Sequence, residues 1–564
     1  MHKRYLILAV AGLFALAAAC GNKGNNDVTP TPEAAVTSAV PEDTGAALPT
    51  GSPKATETPV PQEPSPTPEP TRVIRYYDLS EYTYVNTELN GVTETTVDVS
   101  GMKTYGVNAD FRVTVVFTDG ESDVLTAKAD NGVLKLDFSK PAAAAEVSVV
   151  FKYSLGKDKN TEEDGFIKVP WTVKYDETCD AGFIGNVDTD TKGVKLRSSE
   201  NYFVAALPDG FYDVTVRKAE QARSTLCIND GAFGVNVGIG GTGRKGSDLT
   251  FSAKDIVVSG GEARFSMVGD TVVSYIEFAR VSSLVPRKKH IYIAGDSTIQ
   301  TYYPRENLLR IEPGPGEAQT GWGQVFGYFT TDEVIVDGLG AGGTYARSWY
   351  EGYFQGILNN AQAGDYFIIQ EGINDRTYSS TEEMEEYLRL MITKCREIGV
   401  IPVLVTSQQT AKFWKSADGR EIGEFDKPEG SGLNAFMVTI RNLAKETGTF
   451  LIDNAELTAE WYQKVGRTYV EQTYHIYDFA NDKSVDSLHS SYRGSEKIAE
   501  LIATDIATKI SENATDAYGN TLSGIKLHPV VTYEMQHVNA LGETVTETVT
   551  AVDHEDPFAH LKNN

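Results

Sequence analysis

Positive charge, cysteine and long apolar runs are all scarce in this chain. Lysine and arginine number 51 against 78 aspartates and glutamates, for a net charge of -27. An acidic surface repels phosphate backbones and anionic headgroups, which argues against nucleic acid or anionic membrane as partners. Histidine occurs 8 times and cysteine 4 times. No Cys-x-x-Cys or His-x-x-x-His spacing occurs, so neither a metal nor a cofactor is expected. Cys179 and Cys227 fall in one β-rich region, where they either pair in an oxidising compartment or stay as buried thiols. Cys395 falls on the apolar face of a helix. The most apolar run, Tyr5 to Leu16, is too short to span a bilayer as a permanent helix.

That run follows His2, Lys3 and Arg4 and ends in Ala17, Ala18 and Ala19, which reads as an export signal over residues 1–19. Small residues followed by Cys20 resemble the lipobox of bacterial lipoproteins, with Ala17 standing where leucine is commoner. The resemblance implies that Cys20 carries the lipid and that the chain is an extracellular, surface-anchored lipoprotein. Ordinary cleavage near Ala19 beside an incidental cysteine is the alternative. Residues 20–72 are mostly proline, threonine, glutamate, alanine and serine. Such a composition cannot bury enough apolar surface to offset ordering entropy, so a disordered spacer is expected.

From 73 the period is two. Phe111, Val113, Val115 and Phe117 share one strand face, as do Leu134, Leu136 and Phe138, and Val147, Val149, Phe151 and Tyr153. This predicts a β-sandwich module over 73–170 and a second over 171–286. The stretch Leu207 to Val216 resembles the turn and strand of galactose-binding-like jelly rolls, modules that either bind sugar or only pack against a catalytic domain. Gly238 to Gly243 fits a dinucleotide pattern, but strand rather than helix follows it, and a phosphate needs the helix N-terminus. Asn186, Asp188 and Asp190 alternate like a calcium loop, with the glycine and distal glutamate misplaced.

After Ile291 strands and helices alternate. Ile291, Tyr292, Ile293 and Ala294 read as a buried strand that stops at Gly295, Asp296, Ser297 and Thr298. A serine just past such a strand is placed as a nucleophile or, more plainly, as the cap of a turn. Ser380 with Glu383 predicts a capping box, and Met384, Tyr387, Leu388, Met391, Ile392, Cys395 and Ile398 follow helical spacing. The pattern over 287–512 predicts an α/β domain, a doubly wound and mainly parallel sheet. In the tail, 513–564, Val530 to Tyr533 and Val545 to Val552 either form a hairpin or add a strand to the β modules.

Three more stretches follow Ser297 in order: Gly342, Gly343 and Thr344; Gly372, Ile373, Asn374 and Asp375; and Asp486, Ser487, Leu488 and His489. Together they resemble the four signature blocks of the SGNH (GDSL-type) hydrolases. Gly321-Trp322-Gly323 and Ala346-Arg347-Ser348 are most similar to the rhamnogalacturonan acetylesterase-like branch. The resemblance implies Ser297 as nucleophile, His489 as base and Asp486 as its orienting carboxylate. It further implies oxyanion donors in the N–H groups of Ser297 and Gly343 and the side chain of Asn374. Of the histidines in this segment, His475 is the rival base. Thr344 and Tyr345 depart from the Arg-Ser pair that many relatives carry after the glycine.

The expected partner is an acetylated plant cell-wall polysaccharide. Trp322, Arg347 and Trp349 are candidate substrate-binding residues, with Tyr350 and Trp414 further candidates for a sugar platform. Against a polyanionic pectin the net charge is repulsive, which leaves contacts to local cations such as Arg305, Arg347, Lys412 and Lys415. The alternatives are an acetylxylan, other glycan or lipid esterase of the same fold, or a non-catalytic glycan-binding surface lipoprotein.

Overall fold

The computed structural model describes residues 77–554 apart from 105–107, 157–164, 177, 191–192, 198–200, 219–222, 229–230, 238–249, 269–270, 303–318, 413, 416–420, 423–432, 478–484 and 539–542. The expected signal, Cys20, the spacer, the Gly238 to Gly243 stretch and Arg305 lie outside the described residues. Among the described residues no helix is long and apolar enough to cross a membrane.

Alternating apolar side chains build the N-terminal part. Phe111, Val113 and Val115 of Asp110–Phe117 share a core with Val147 and Val149 of Val133–Gly156. The latter strand is 24 residues long. Along its first part it pairs with Val92–Asp98, Thr83–Asn86 and Asp110–Phe117, and along its last part with Thr271–Arg280. An 11-stranded sheet therefore runs through both segments expected as separate modules. Phe183, Phe203 and Phe265 of a second, 5-stranded sheet pack against Tyr153, Val214 and Phe278 of the first. Cys179 and Cys227 are free thiols, and Asp188 is held by Arg197 at 2.9 Å.

The C-terminal part is a parallel sheet of β1 (Lys289–Gly295), β2 (Val334–Gly338), β3 (Tyr366–Gln370), β4 (Ile401–Val405) and β5 (Phe450–Ile452) in the order β2-β1-β3-β4-β5. Every residue of β3 and β4 is buried, as strands covered on both faces must be. Tyr292 and Ala294 face a core shared with α1 (Ala346–Asn360), while Ile291 and Ile293 face the opposite core. A short helix, α2 (Asp375–Tyr378), follows β3. The first core also holds Met384, Leu388 and Met391 of α3 (Thr381–Glu397) and Met437 and Ile440 of α4 (Leu433–Thr447). The opposite core holds Ile498, Ile502 and Ile506 of α6 (Tyr492–Ser511), which follows α5 (Asn454–Val465). The sheet is thus doubly wound, and strand order reverses between β1 and β3, where a crevice opens at their carboxyl ends. Ser380 caps α3 by accepting from the Glu383 N–H at 3.2 Å, while the Glu383 carboxylate takes Arg347 instead of completing the box.

The tail forms a hairpin, Val530–Val538 with Thr544–Val552, and docks on the α/β domain rather than on the N-terminal sheets. Tyr533 accepts from Lys497 of α6 and donates to Glu500, and the Val552 N–H reaches Thr504 at 3.1 Å.

Buried charge ties the two parts together. Arg287 forms a two-pronged pair with Asp365 at 2.8 and 2.9 Å. His290, wholly buried on β1, lies 2.6 Å from Asp337 of β2 and 3.2 Å from Asp255 of the strand Thr250–Val258. Burial opposes charge on this ring, but the two carboxylates outweigh it and raise the pKa to about 9. A histidine raised in the folded state stabilises fully below its unfolded pKa near 6.5, and that stabilisation is lost as pH rises to about 9. Scanning calorimetry should therefore show Tm falling between pH 6.5 and 9, and His290→Gln should flatten that limb. A wild-type Tm that stays level across this range would disprove the assignment.

Candidate active site

The strand-end serine owes its position to a glycine. A Cβ on Gly295 would lie 2.3 Å from the Gln370 carbonyl and 2.3 Å from Ile299, so only glycine lets β1 end this close to β3. Asp296, fully buried, accepts from the Thr298 N–H and hydroxyl, both at 2.8 Å, and closes the turn. Burial raises its pKa. Within the buried run Ile291 to Gln300, Ser297 alone is partly exposed.

The Ser297 hydroxyl lies 3.0 Å from Nε2 of His489. His489 Nδ1 lies 2.8 Å from one oxygen of Asp486, whose other oxygen accepts the N–H groups of Leu488 and His489 at 3.0 and 3.1 Å. Burial works against the charge of Asp486, but His489 and these backbone donors pull its pKa down to about 2. A carboxylate that stays charged orients the imidazole so that its far nitrogen can take a proton from the serine.

His475 has another part. It is buried 3.1 Å from the Asp486 carbonyl and 3.3 Å from the Tyr462 hydroxyl, and burial lowers its pKa to about 4. It is a neutral brace behind the Asp486 loop.

Two loops complete the crevice. Gly343 sits at φ +84°, a left-handed conformation that lets the chain after β2 turn into α1. The Asn374 side-chain amide donates to the Thr344 carbonyl at 2.9 Å, leaving its second hydrogen available. Asp375 clamps the same loops by accepting from the N–H groups of Ala346 at 3.2 Å and Gly372 at 2.9 Å, and from the Ser379 hydroxyl at 3.1 Å. Burial, against those donors, raises Asp375 to about 6.

Sequence reasoning passed over the groups beneath these loops. Glu371 is 1% exposed, and neither of its carboxyl oxygens has a hydrogen-bond partner among the described residues. Burial first, then the charges of Asp375 and Asp296, raises its pKa well above the usual range, so it is held as the neutral acid. Gln370 at the end of β3 donates to the Thr298 hydroxyl at 2.8 Å and accepts from Trp322 Nε1 at 3.0 Å. The glutamine and the acid read in sequence only as polar residues after a strand.

Two expected substrate contacts are corrected. Trp322 is 0% exposed, its indole bonded to Gln370, and Trp349 is 1% exposed, against Tyr353 and Phe367. Neither presents a face to a sugar. Arg347 is exposed and paired with Glu351 and Glu383 at 3.0 and 3.1 Å. Tyr350 is stacked on Phe354. Lys412 is exposed, while the side chains of Trp414 and Lys415 lie outside the described residues. Among the described residues no group of three potential metal ligands converges.

Asp375→Ala removes three hydrogen bonds and strands buried donors, and should cost about 3 kcal/mol in a denaturant titration. A loss below about 1 kcal/mol, within the range of one ordinary hydrogen bond, would mean that Asp375 is no clamp.

No family model matches the chain. It is 30% identical over 225 residues to the rhamnogalacturonan acetylesterase RhgT of Bacillus subtilis, covering 38% of this chain and 88% of that protein. It is 27% identical over 382 residues to the uncharacterized esterase YxiM of the same organism, covering 63% of this chain and 90% of the relative. The crystal structure of the YxiM protein superimposes with a TM-score of 0.49 at 24% identity, covering 64% of this chain and 98% of that one. The 382-residue match is too long to lie within 287–512 alone. With nearly nine-tenths of one acetylesterase matched in sequence, this chain belongs to the SGNH (GDSL-type) hydrolases, in their rhamnogalacturonan acetylesterase-like branch, and is a carboxylic ester hydrolase.

Proposed function

We propose that the chain removes O-acetyl groups from a plant cell-wall polysaccharide, rhamnogalacturonan in first place, by a serine acyl-enzyme route. The observation that carries this is the continuous hydrogen-bonded line from Ser297 through His489 to Asp486, at 3.0 and 2.8 Å. The polysaccharide comes from the relatives, one of which is a rhamnogalacturonan acetylesterase of Bacillus subtilis and another a probable one.

In the first half-reaction the Ser297 oxygen attacks the acetyl carbonyl carbon while His489 Nε2 takes the hydroxyl proton. The oxyanion so formed takes the N–H groups of Ser297 and Gly343 and the unused hydrogen of the Asn374 amide. His489 then gives its proton to the departing sugar oxygen, which leaves an acetyl-serine. In the second half-reaction water, deprotonated by His489, releases acetate and restores the serine. Export on the signal at 1–19, a lipid on Cys20 and the spacer to 72 would hold the domain outside the bacterial cell, where such polymers are found.

Acetate release from acetylated rhamnogalacturonan, acetylated homogalacturonan and acetylated xylan, side by side, tests the substrate. Release from the first that vanishes in Ser297→Ala is expected; release from xylan alone would discard the pectin assignment. Asn374→Ala should lower kcat roughly a hundred- to thousandfold, the cost of one oxyanion donor. Near-normal turnover there would remove Asn374 from the site. Asp486→Asn should lower kcat by up to about ten thousandfold through the wrong imidazole tautomer. A mild effect would assign the orienting role to another carboxylate.

A further inference from the structure

Trp322 and Trp349 are buried, and among the described residues a different aromatic pair lies beside the crevice loops. Tyr378 is 47% exposed, among the most exposed large apolar side chains of the described residues. Its ring stacks on Tyr345, centroids 5.6 Å apart and planes at 29°. Tyr345 is half-buried and braces one face of Tyr378, so the exposure falls on the rest of the ring. Both residues are tied to the proposed oxyanion donors. Tyr345 follows Thr344, whose carbonyl holds the Asn374 amide, and the Tyr378 N–H donates to the Asn374 carbonyl at 3.2 Å, one helical turn along α2. The pair therefore joins the two loops of the crevice from outside, as Asp375 does from within.

We propose that the Tyr345–Tyr378 stack is a sugar-binding platform beside the acetyl site, taking the apolar C–H face of a pyranose unit next to the one that carries the ester. This rests on the reading of the chain as a glycan esterase. The chemistry suits an acidic protein. A ring face carries partial negative charge and attracts the slightly positive C–H groups of a sugar whatever the net charge of the polymer. Arg347, two residues from Tyr345, is engaged by Glu351 and Glu383, whereas a ring face needs no charge on the sugar. Tyr378 is a positioning and specificity residue, since it touches substrate away from the bond that breaks.

The test compares the full chain and its Tyr378→Ala, Tyr378→Trp and Ser297→Ala variants on acetylated rhamnogalacturonan and on 4-nitrophenyl acetate, an ester with no sugar. Tyr378→Ala should raise KM for the polymer roughly tenfold, with kcat within about twofold and the small ester unaffected. Tyr378→Trp, which keeps an aromatic face, should restore the polymer KM. Equal losses on both substrates would make Tyr378 a structural support of Asn374 and overturn the platform. An unchanged polymer KM in Tyr378→Ala, beside a dead Ser297→Ala, would overturn the platform alone. If wild-type protein hydrolyses 4-nitrophenyl acetate but releases no acetate from this or any other acetylated glycan, the glycan reading fails and the platform with it.

Discussion

The catalytic geometry depends on the register of two parallel strands. Gly295 of β1 pairs with Gln370 of β3, so the turn bearing Ser297 and the loop bearing Asn374 leave the sheet side by side. Close approach is enforced from both sides, because Gly295 has no Cβ to strike the Gln370 carbonyl. The Gln370 side chain, bonded to Thr298 and Trp322, then fixes the base of the serine turn. A slip of one residue would turn every side chain of β1 to the other face and remove both cores at once. His489 comes to this point from the far end of the domain, carried by the short strand Val485–Ser490, which pairs with His475–Tyr477 just before α6.

Charge inside the domain is arranged in two opposite ways. Around His290 and Arg287 the carboxylates of Asp255, Asp337 and Asp365 meet cations, and the ion pairs link the N-terminal sheets to the parallel sheet. Beneath the active loops Asp296, Glu371 and Asp375 lie close enough to feel one another, and burial drives them toward the neutral form. A fourth carboxylate, Asp486, is pulled the other way by His489 and stays ionised. Acids in one small region thus titrate in opposite directions, according to whether donors or other acids surround them.

The excess of negative charge shapes how this protein can hold a polymer. The exposed arginine nearest the crevice loops, Arg347, is already matched by two glutamates. Neutral contacts, stacking and hydrogen bonds need no such cation, and the exposed tyrosine of α2 is the proposed source of the first of these. The ester chemistry proposed here needs none of this, since it would run on a serine, an imidazole and a few fixed donors.

Local pattern decided a good deal here. The period of α3 fixes which side chains turn inward, and Met384, Leu388, Met391, Ile392 and Cys395 are buried accordingly. The apolar run of β1 and its abrupt glycine fix where the strand ends, and the four short motifs fix family and reaction class. Each motif is a short contiguous stretch, so the resemblance is legible without coordinates. What a residue faces after long-range packing is not local. Trp322 and Trp349 read either as a sugar platform or as core packing, and each fills a core. The 24-residue strand Val133–Gly156 joins two expected modules because its partners come from residues as far apart as Thr83 and Arg280. The hairpin of the tail settles on α6 because Trp461 and Tyr462 offer it an apolar seat there. The neutral Glu371 and the stacked Tyr345 and Tyr378 exist as features only once β3 and the loop after β2 are side by side. Sequence sets the period, the turn and the chemistry of each side chain, and the tertiary structure alone sets its neighbours, because burial and charge coupling depend on distances through space.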